Sequence, residues 1–378
     1  MSRTMPAGDG LVAENITRLK PYHPGKPIEE VQREFGLTDI IKLASNENPL
    51  GPSPRVVEVM RRAVEKVALY PEGAAPVLRS LVAKKHDVAE DMLVFGNGSD
   101  EILHLVCETF IVPGQDGTVQ AEPTFAMYEI YATLANADIV KVPLKNYAHD
   151  LDAMADAITP STRIVFIANP NNPTGTLVTQ REVERLLDRL PERAILVSDE
   201  AYDDYVESPD KPDLLPFVRE GRNIVISHTF SKVHALAGLR VGYAIMPPDL
   251  AGFMNRARSP FNVNLVAQAA AAASLSDEEH VRASVALNTS EKHRLYEELE
   301  AAGIAYVPSE ANFVLIDVER DSREVFDLLL RRGVIVRAGY GLGLPRHIRV
   351  TIGTPEQNGR FLAELTSVMR PARKADRL

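Results

Sequence analysis

Short apolar segments alternate with helical patterns between about residues 95 and 245. Amphipathic stretches such as 180–190 lie between the apolar runs. Continuous apolar strands that alternate with helices predict a mainly parallel sheet covered on both faces, hence an α/β fold with a large sheet domain. The predicted strands are 92–96, 118–121, 138–143, 163–169, 194–200, 223–229 and 241–246.

The C-terminal third has a different pattern, which predicts a smaller α+β unit. A long helical pattern at about 262–302 leads to short strand patterns separated by helices at 322–332 and 355–369. The first sixty residues are rich in Pro and Gly, and we expect them to cross over and join this unit. The predicted domains are an N-terminal segment (1–60), a large domain (61–265), a small domain (266–370) and a flexible tail (371–378).

Composition narrows the class of protein. The 378 residues are 45% hydrophobic and 25% charged, with a net charge of -10 and no basic stripe, so nucleic acid is not an expected partner. A single cysteine, Cys107, excludes an internal disulfide and fits a reducing compartment. The N-terminal residues have no apolar stretch typical of a signal peptide, no run approaches the roughly 18 apolar residues of a membrane helix, and the histidines lack metal-ligand spacing. These features predict a cytoplasmic globular protein without a metal site.

Polar residues follow several predicted strands, and parallel sheets bind ligands beyond the C-terminal ends of their strands. The turn GNGSDE after residues 92–96 opens a helix, with Ser99 as the expected N-cap. Such a helix start can bind an anion, although simple capping is the alternative. In NPNNPTGT (169–176), Asn172 either faces a ligand or belongs to a turn.

Two further strand ends carry ionisable groups. Asp199 closes an apolar strand, so its carboxylate would be partly desolvated and would need a partner; Tyr202 lies three residues on. A buried cap or ion pair is the alternative. Lys232 follows Thr229 and Ser231, in a segment from which Arg240 can fold back.

Hydroxyl groups, an arginine and a helix N-terminus together suit a phosphate dianion. A lysine beside such a site, with a carboxylate at the neighbouring strand end, suggests a Schiff base to pyridoxal phosphate and a partner for its pyridinium nitrogen. A phosphate site, a lysine and a carboxylate together indicate pyridoxal phosphate more specifically than any one of these features alone.

Ordered motifs along nearly the whole chain carry a family resemblance. The chain resembles the fold-type I, pyridoxal-phosphate-dependent aminotransferases, and most closely the histidinol-phosphate aminotransferase family. The motifs are LKPYHPGKPIEEV, KLASNENPLGPSP, ALYPEG, GNGSDEI, PTFAMY, NPNNPTGT, DEAY, TFSK, GLRVGY, SEANFVL and IRVTIGTPEQN.

The resemblance implies roles for the catalytic and ring-binding residues. Lys232 would hold the cofactor as a Schiff base and act as general base and acid. Asp199 would pair with the pyridine nitrogen, while Asn172 and Tyr202 would bind the ring hydroxyl. Phe125 would stack on the ring, where many relatives have tyrosine.

The resemblance also implies how anions are held. The residues expected around the cofactor phosphate are Ser99, Asp100, Thr229, Ser231 and Arg240, with Tyr70 reaching it from the neighbouring subunit of a homodimer. The residues expected around the substrate are Tyr22, Arg337 and Arg349. A structural ion pair is the alternative for Arg337, and RAGYGLGLP departs from the proline-containing segment of some relatives.

The implied reaction is a ping-pong transamination between L-glutamate and imidazole-acetol phosphate, giving L-histidinol phosphate and 2-oxoglutarate in histidine biosynthesis. An aromatic amino acid aminotransferase is the nearest alternative, and a phospho-amino-acid decarboxylase of the same fold is a more distant one. A regulatory, non-catalytic relative is disfavoured because Lys232 and Asp199 are both intact and no length remains for a fused DNA-binding domain.

Overall fold

The computed structural model describes residues 11–19, 21 and 25–370. The described strands are β1 (Ile41–Lys42), β2 (Leu93–Gly96), β3 (Gly117–Glu122), β4 (Asp138–Pro143), β5 (Thr162–Ala168), β6 (Ile195–Asp199), β7 (Ile224–Thr229), β8 (Gly242–Ile245), β9 (Tyr306–Val307), β10 (Phe313–Asp317), β11 (Val334–Ile335), β12 (Arg337–Ala338) and β13 (His347–Thr351).

The described helices connect and cover these strands. They are α1 (Glu14–Thr17), α2 (Ile28–Phe35), α3 (Pro54–Val64), α4 (Pro76–His86), α5 (Ser99–Phe110), α6 (Met127–Leu134), α7 (Leu151–Asp156), α8 (Gln180–Arg189), α9 (Leu215–Arg219), α10 (Pro248–Ala257), α11 (Leu265–Leu275), α12 (Glu278–Ala301), α13 (Ser322–Leu330) and α14 (Pro355–Met369). Within the part of the chain that is described, no helix is both long and apolar enough to cross a membrane.

Seven strands form the large sheet, in the order β2-β8-β7-β6-β5-β3-β4. The neighbours from β7 to β4 pair in parallel, whereas β8 is antiparallel to both β7 and β2. The prediction of a mainly parallel sheet is therefore confirmed, and each predicted strand overlaps an observed one. The sequence did not show that strand β8 runs antiparallel to its neighbours, because an apolar run does not reveal the direction of a strand in the sheet.

Both faces of the large sheet are buried. Along β5, Val165 and Ile167 belong to one apolar core, while Ile164 and Phe166 belong to the other. Because successive strand side chains point to opposite faces, the run must be apolar at every position to fill both cores. This arrangement holds the C-terminal ends of β5, β6 and β7 at one edge.

The smaller unit contains a four-stranded antiparallel sheet, in the order β12-β13-β10-β9. In its apolar core, side chains of α12, α13 and α14 pack with those of β10 and β13. Strand β1 pairs in parallel with β11, Ile41 opposite Val334, so part of the N-terminal segment joins this region. Val56 of α3 and Ala267 of α11 instead share the core of the large sheet. The exact domain boundaries remain predictions.

The long helical pattern at 262–302 is divided into α11 and α12. The Asp277 side chain accepts a hydrogen bond from the His280 backbone N–H (3.3 Å) and so caps α12. An Asp at this position favours a new helix start over continuation, because its side chain replaces an intrahelical partner.

Candidate active site

A cavity of about 450 Å³ opens at the C-terminal edge of the large sheet. Ala168, Asp199 and Thr229, the last residues of β5, β6 and β7, all border it. Twelve of the fourteen residues selected from the sequence also border it: Ser99, Asp100, Phe125, Asn172, Asp199, Tyr202, Thr229, Ser231, Lys232, Arg240, Arg337 and Arg349. Of the other two, Tyr22 lies outside the described residues and Tyr70 lies elsewhere on the surface.

One end of the cavity is a cradle of hydrogen-bond donors. The Thr229 hydroxyl donates to Ser231 Oγ (3.0 Å), and Arg240 Nη1 donates to the same oxygen (3.4 Å). Gly98 precedes α5 with φ 84°, and a Cβ there would lie 2.5 Å from Arg240 Nη2. Only glycine allows the guanidinium to come this close to the chain at the helix start. The N-terminus of α5 and Arg240 thus face one small volume suited to an anion.

The expected role of Ser99 as an N-cap is wrong. Gly98 occupies the cap position, and Ser99 is the first residue of α5. The left-handed backbone at Gly98 turns the chain into the helix without a side-chain cap. The Ser99 side chain is therefore not used for capping, and the residue borders the cavity.

Lys232 reaches the middle of the cavity from the segment after β7. Its Nζ donates to the Ser45 carbonyl oxygen (3.3 Å) and lies 5.4 Å from the centre of the Tyr202 ring. Burial, followed by the nearby Arg349 charge, lowers the pKa of Lys232 to about 8. A neutral, nucleophilic amine is thus accessible near physiological pH.

Asp199 presents a buried carboxylate to the same space. Tyr128 Oη donates to Asp199 Oδ2 (2.8 Å), and the Ala201 backbone N–H donates to Oδ1 (3.3 Å). Burial raises the pKa of Asp199 to about 6, and these two hydrogen bonds oppose that rise. A desolvated carboxylate of this kind is stabilised by a cationic ligand.

Between these groups, a chain of polar side chains links the two units. Asn46 Nδ2 donates to Tyr202 Oη (2.9 Å), and Asn172 Nδ2 lies 3.5 Å from the same oxygen. Arg349 donates to Asn172 Oδ1 and, through Nη2, to the Ala44 carbonyl oxygen (2.8 Å). The cavity floor therefore depends on contacts between the large sheet, the small sheet and the N-terminal segment.

The small sheet contributes two arginines from adjacent strands. Arg337 of β12 is directly opposite Arg349 of β13 in the antiparallel register. Arg349 is buried and its guanidinium lies 5.2 Å from the centre of the Phe313 ring, whereas Arg337 is half-buried. Two guanidinium groups that border one cavity favour a ligand with more than one negative charge.

Sequence reasoning missed two residues that the structure brings to this site. Asn46 and Tyr128 lie within the quoted motifs KLASNENPLGPSP and PTFAMY, but no role was assigned to them. Their partners Tyr202 and Asp199 are 156 and 71 residues away along the chain. No local pattern reveals such contacts. The one signal in the sequence was that both residues lie inside the quoted motifs.

Tyr70 lies on a separate, exposed apolar surface. Its side chain is 83% exposed and stacks on Phe261, with 4.9 Å between ring centres. Val67 and Leu69 are exposed beside it, and the four side chains line a second cavity of about 350 Å³. Large apolar side chains clustered at the surface are typical of protein interfaces.

A group of potential metal ligands lies outside the cavity, although the histidine spacing did not predict one. Glu200, Asp203 and His228 each bring a ligand atom within 4.8 Å of the others. Lys211 Nζ lies 2.6 Å from Asp203 Oδ1, so a cation already neutralises part of this group. The prediction that the protein uses no metal stays a prediction.

Comparisons with known proteins show the family of the chain. The family model "Aminotransferase class I and II" matches residues 38–365. A histidinol-phosphate aminotransferase from Moorella thermoacetica is 51% identical over 357 residues, which cover 94% of this chain and 92% of the relative. One from Geobacillus thermodenitrificans is 47% identical over 359 residues, covering 95% and 98%.

Solved structures of this class share the fold. The histidinol-phosphate aminotransferase from Sinorhizobium meliloti in complex with pyridoxal-5'-phosphate superimposes with a TM-score of 0.88 and 25% identity, covering 96% of this chain and 99% of the other. An aspartate aminotransferase from Thermus thermophilus with maleate gives a TM-score of 0.81 at 25% identity, covering 94% and 99%. The fold, with its large and small sheets, is thus a known arrangement.

Proposed function

The chain belongs to the class I and II aminotransferases, and from this premise we propose that it transfers the amino group of L-glutamate to imidazole-acetol phosphate, giving L-histidinol phosphate and 2-oxoglutarate. The observation that carries this proposal is one cavity that contains an amine, a buried carboxylate, an anion cradle and a pair of arginines. The first three suit a cofactor, and the arginines suit a phosphorylated substrate.

The residues present fit pyridoxal phosphate. The cradle formed by Ser231, Arg240 and the start of α5 suits its phosphate. Glycine at position 98 leaves room for the Arg240 guanidinium in this cradle, because a Cβ there would fill the space that the guanidinium occupies. The buried Asp199 carboxylate suits a protonated ring nitrogen, and Lys232 Nζ suits its aldehyde. When bound, pyridoxal phosphate supplies the electron sink that makes exchange of an amino group for a carbonyl group possible.

The chain's own residues position groups and move protons. Lys232 would hold the cofactor through Nζ, and the same nitrogen, when free, would accept a proton from the substrate α-carbon as general base and later deliver it as general acid. Its pKa of about 8 allows Nζ both to accept and to release a proton near neutral pH. Asp199 would keep the ring nitrogen protonated. Asn172 and Tyr202, whose side-chain polar atoms lie 3.5 Å apart, would orient the ring through its hydroxyl.

The paired arginines explain how two different substrates share one site. Arg349 sits deeper, where it is fixed by the Ala44 carbonyl oxygen and Asn172, and it would bind the α-carboxylate of glutamate. Histidinol phosphate has no α-carboxylate, so its phosphate would occupy the same anion site. Arg337, opposite Arg349, would supply the second charge that a dianion requires.

The active unit proposed here is a homodimer. The apolar surface formed by Val67, Leu69, Tyr70 and Phe261 would be covered by a second copy of the chain. Tyr70 would then reach the cofactor phosphate in the partner's cavity. The high exposure of this tyrosine in a single chain supports that arrangement, because a large apolar side chain at the surface favours burial in an interface. Cytoplasmic localisation stays a prediction from the sequence.

A two-substrate assay tests the proposed reaction. The protein, loaded with pyridoxal phosphate, is incubated with L-histidinol phosphate and 2-oxoglutarate, and L-glutamate is measured. Formation of glutamate without release of carbon dioxide is the expected result. Release of carbon dioxide from a phosphorylated amino acid would instead indicate a decarboxylase. Faster turnover with phenylalanine or tyrosine would indicate an aromatic aminotransferase.

A further inference from the structure

Tyr128 borders the cavity and contacts the Asp199 carboxylate, which borders it too. Tyr128 is fully buried, and its Oη donates to Asp199 Oδ2 at 2.8 Å. The Ala201 backbone N–H donates to the other carboxylate oxygen at 3.3 Å. Each oxygen thus has one donor from the protein, and remaining lone pairs can accept from a ligand in the cavity.

The Tyr128 ring is held in place from two sides. It is stacked on Phe166 of β5, with 4.8 Å between ring centres and planes only 3° apart. Phe125 contacts it edge-on at 5.6 Å. Phe125 also borders the cavity, so one aromatic cluster fixes both the hydroxyl that contacts Asp199 and the ring expected to stack on the cofactor. A side chain packed in this way loses little entropy in forming its hydrogen bond.

The phenol remains a donor over the working pH range. Burial, together with the neighbouring Asp199 charge, raises the pKa of Tyr128 well above its ordinary value. The phenolate is therefore not formed near neutral pH, and the O–H group continues to stabilise the ionised carboxylate. A buried carboxylate without this donor would be protonated more readily.

Other titratable groups also act on Asp199. Asp100 of α5 raises its pKa through like charge, and Lys232 after β7 lowers it through opposite charge. Tyr202, in the turn after β6, is a neighbour whose own pKa is raised by burial and, to a smaller extent, by the Asp199 charge. Among these groups Tyr128 is the one whose side-chain hydrogen bond to the Asp199 carboxylate is observed, and that bond is the largest contribution opposing burial.

We infer that Tyr128 is a positioning residue for the reaction: its hydroxyl holds Asp199 ionised and aims the carboxylate at the ring nitrogen of the cofactor. This role presupposes the pyridoxal phosphate chemistry proposed above. Tyr128 would act through Asp199, to which its hydroxyl donates. Removing the hydroxyl leaves a buried carboxylate with a single backbone donor.

Tyr128→Phe removes only the hydroxyl and keeps both ring contacts. Cofactor affinity of the apoprotein is measured from pH 5 to 9, together with kcat and KM. We expect the pH below which affinity falls to move upward by about one unit, which corresponds to about tenfold weaker cofactor binding at the acid end. We expect kcat to fall at low pH and to recover partly as the pH rises, with KM for glutamate nearly unchanged.

Tyr243→Phe is the matched control. Tyr243 is also buried, and its hydroxyl is 2.8 Å from His86 Nε2, but it does not border the cavity. Thermal unfolding measures how much stability each variant loses with its buried hydrogen bond. A purely structural role for Tyr128 would give both variants a similar loss of stability and leave the pH dependence of cofactor binding unmoved.

A double-mutant cycle keeps the test decisive if Tyr128→Phe is unstable. In an Asp199→Asn background there is no carboxylate to hold ionised, so adding Tyr128→Phe should change cofactor affinity less than twofold. Equal effects of Tyr128→Phe in both backgrounds, or an unshifted pH profile in the single variant, would overturn the inference. Failure of the unmodified protein to bind pyridoxal phosphate would instead refute the proposed function itself.

Discussion

Arg337 and Arg349 face each other across adjacent antiparallel strands, and both border the cavity. A substrate phosphate placed between the two guanidinium groups would accept charge-assisted hydrogen bonds from both. We therefore expect the pair to distinguish a phosphorylated substrate from one that carries a single carboxylate.

Arg337→Gln should affect the reaction of histidinol phosphate more than that of glutamate. We expect KM for histidinol phosphate to rise at least about tenfold, since a hydrogen bond to a charged group contributes about 1.5–3 kcal/mol. The glutamate half-reaction should change less, because Arg349 remains. Arg346→Gln serves as a control: Arg346 is exposed, pairs with Asp317 (3.1 Å) and does not border the cavity. Equal losses for both substrates would contradict the division of roles.

Cofactor loading should depend on pH in a defined direction. The pKa of Lys232 is lowered to about 8, so the neutral amine that attacks the aldehyde increases as pH rises and levels off above that value. The pKa of Asp199 is raised to about 6, so the carboxylate that retains the cofactor is lost as pH falls through 6. Absorbance changes on mixing apoprotein with pyridoxal phosphate measure both the rate of cofactor loading and the amount of cofactor retained.

A free lysine derivative in the same buffers corrects for the cofactor's own ionisations. After that correction, a loading rate that continues to rise up to about pH 10 would mean that Lys232 keeps an ordinary lysine pKa. Retention of cofactor that is unchanged below pH 6 would mean that the Asp199 charge does not hold it.

Gly98→Ala tests the anion cradle. The new Cβ would lie 2.5 Å from Arg240 Nη2, so the guanidinium must move, and we expect cofactor affinity to fall about tenfold or more. Gly36→Ala is the matched control, because Gly36 also has a positive φ (67°) but meets nothing within 4 Å. Both variants should lose stability from backbone strain: about 1 kcal/mol at Gly36, which has a left-handed helical conformation, and more at Gly98, whose φ of 84° and ψ of 168° suit glycine alone. Weak cofactor binding in the Gly36 variant as well would indicate a general folding defect.

Mixed dimers test whether Tyr70 acts on the partner's cavity. Tyr70→Ala and Lys232→Ala subunits are each expected to be poorly active alone. In a hybrid dimer, one cavity would combine an intact Lys232 with an intact Tyr70 from the partner. Equal mixing, unfolding and refolding should therefore restore about a quarter of the unmodified activity, as random pairing in a twofold dimer requires. The total activity of the mixture is compared with that of each variant alone. A mixture no more active than the two variants would contradict the proposal that Tyr70 acts in the partner's cavity.

Local sequence patterns specified the sheet more completely than the site. Strand β4 coincides with the predicted 138–143, and Asp199 ends β6 as expected, because apolar runs and their polar ends are local features. Strand order is not local, so the meeting of Tyr128 with Asp199 and of Asn46 with Tyr202 could not be derived. Ser99 was mistaken for a cap because hydroxyl residues usually cap helices, whereas here a positive-φ glycine does so.

The half-reactions of the cofactor-loaded protein test the central claim most directly. The protein is mixed separately with L-histidinol phosphate, L-glutamate and L-phenylalanine, and the absorbance of the cofactor is followed as it converts to its amino form. Rapid conversion by histidinol phosphate and glutamate, with slow conversion by phenylalanine, is the predicted result. Faster conversion by phenylalanine, or no cofactor absorbance that depends on Lys232, would contradict it.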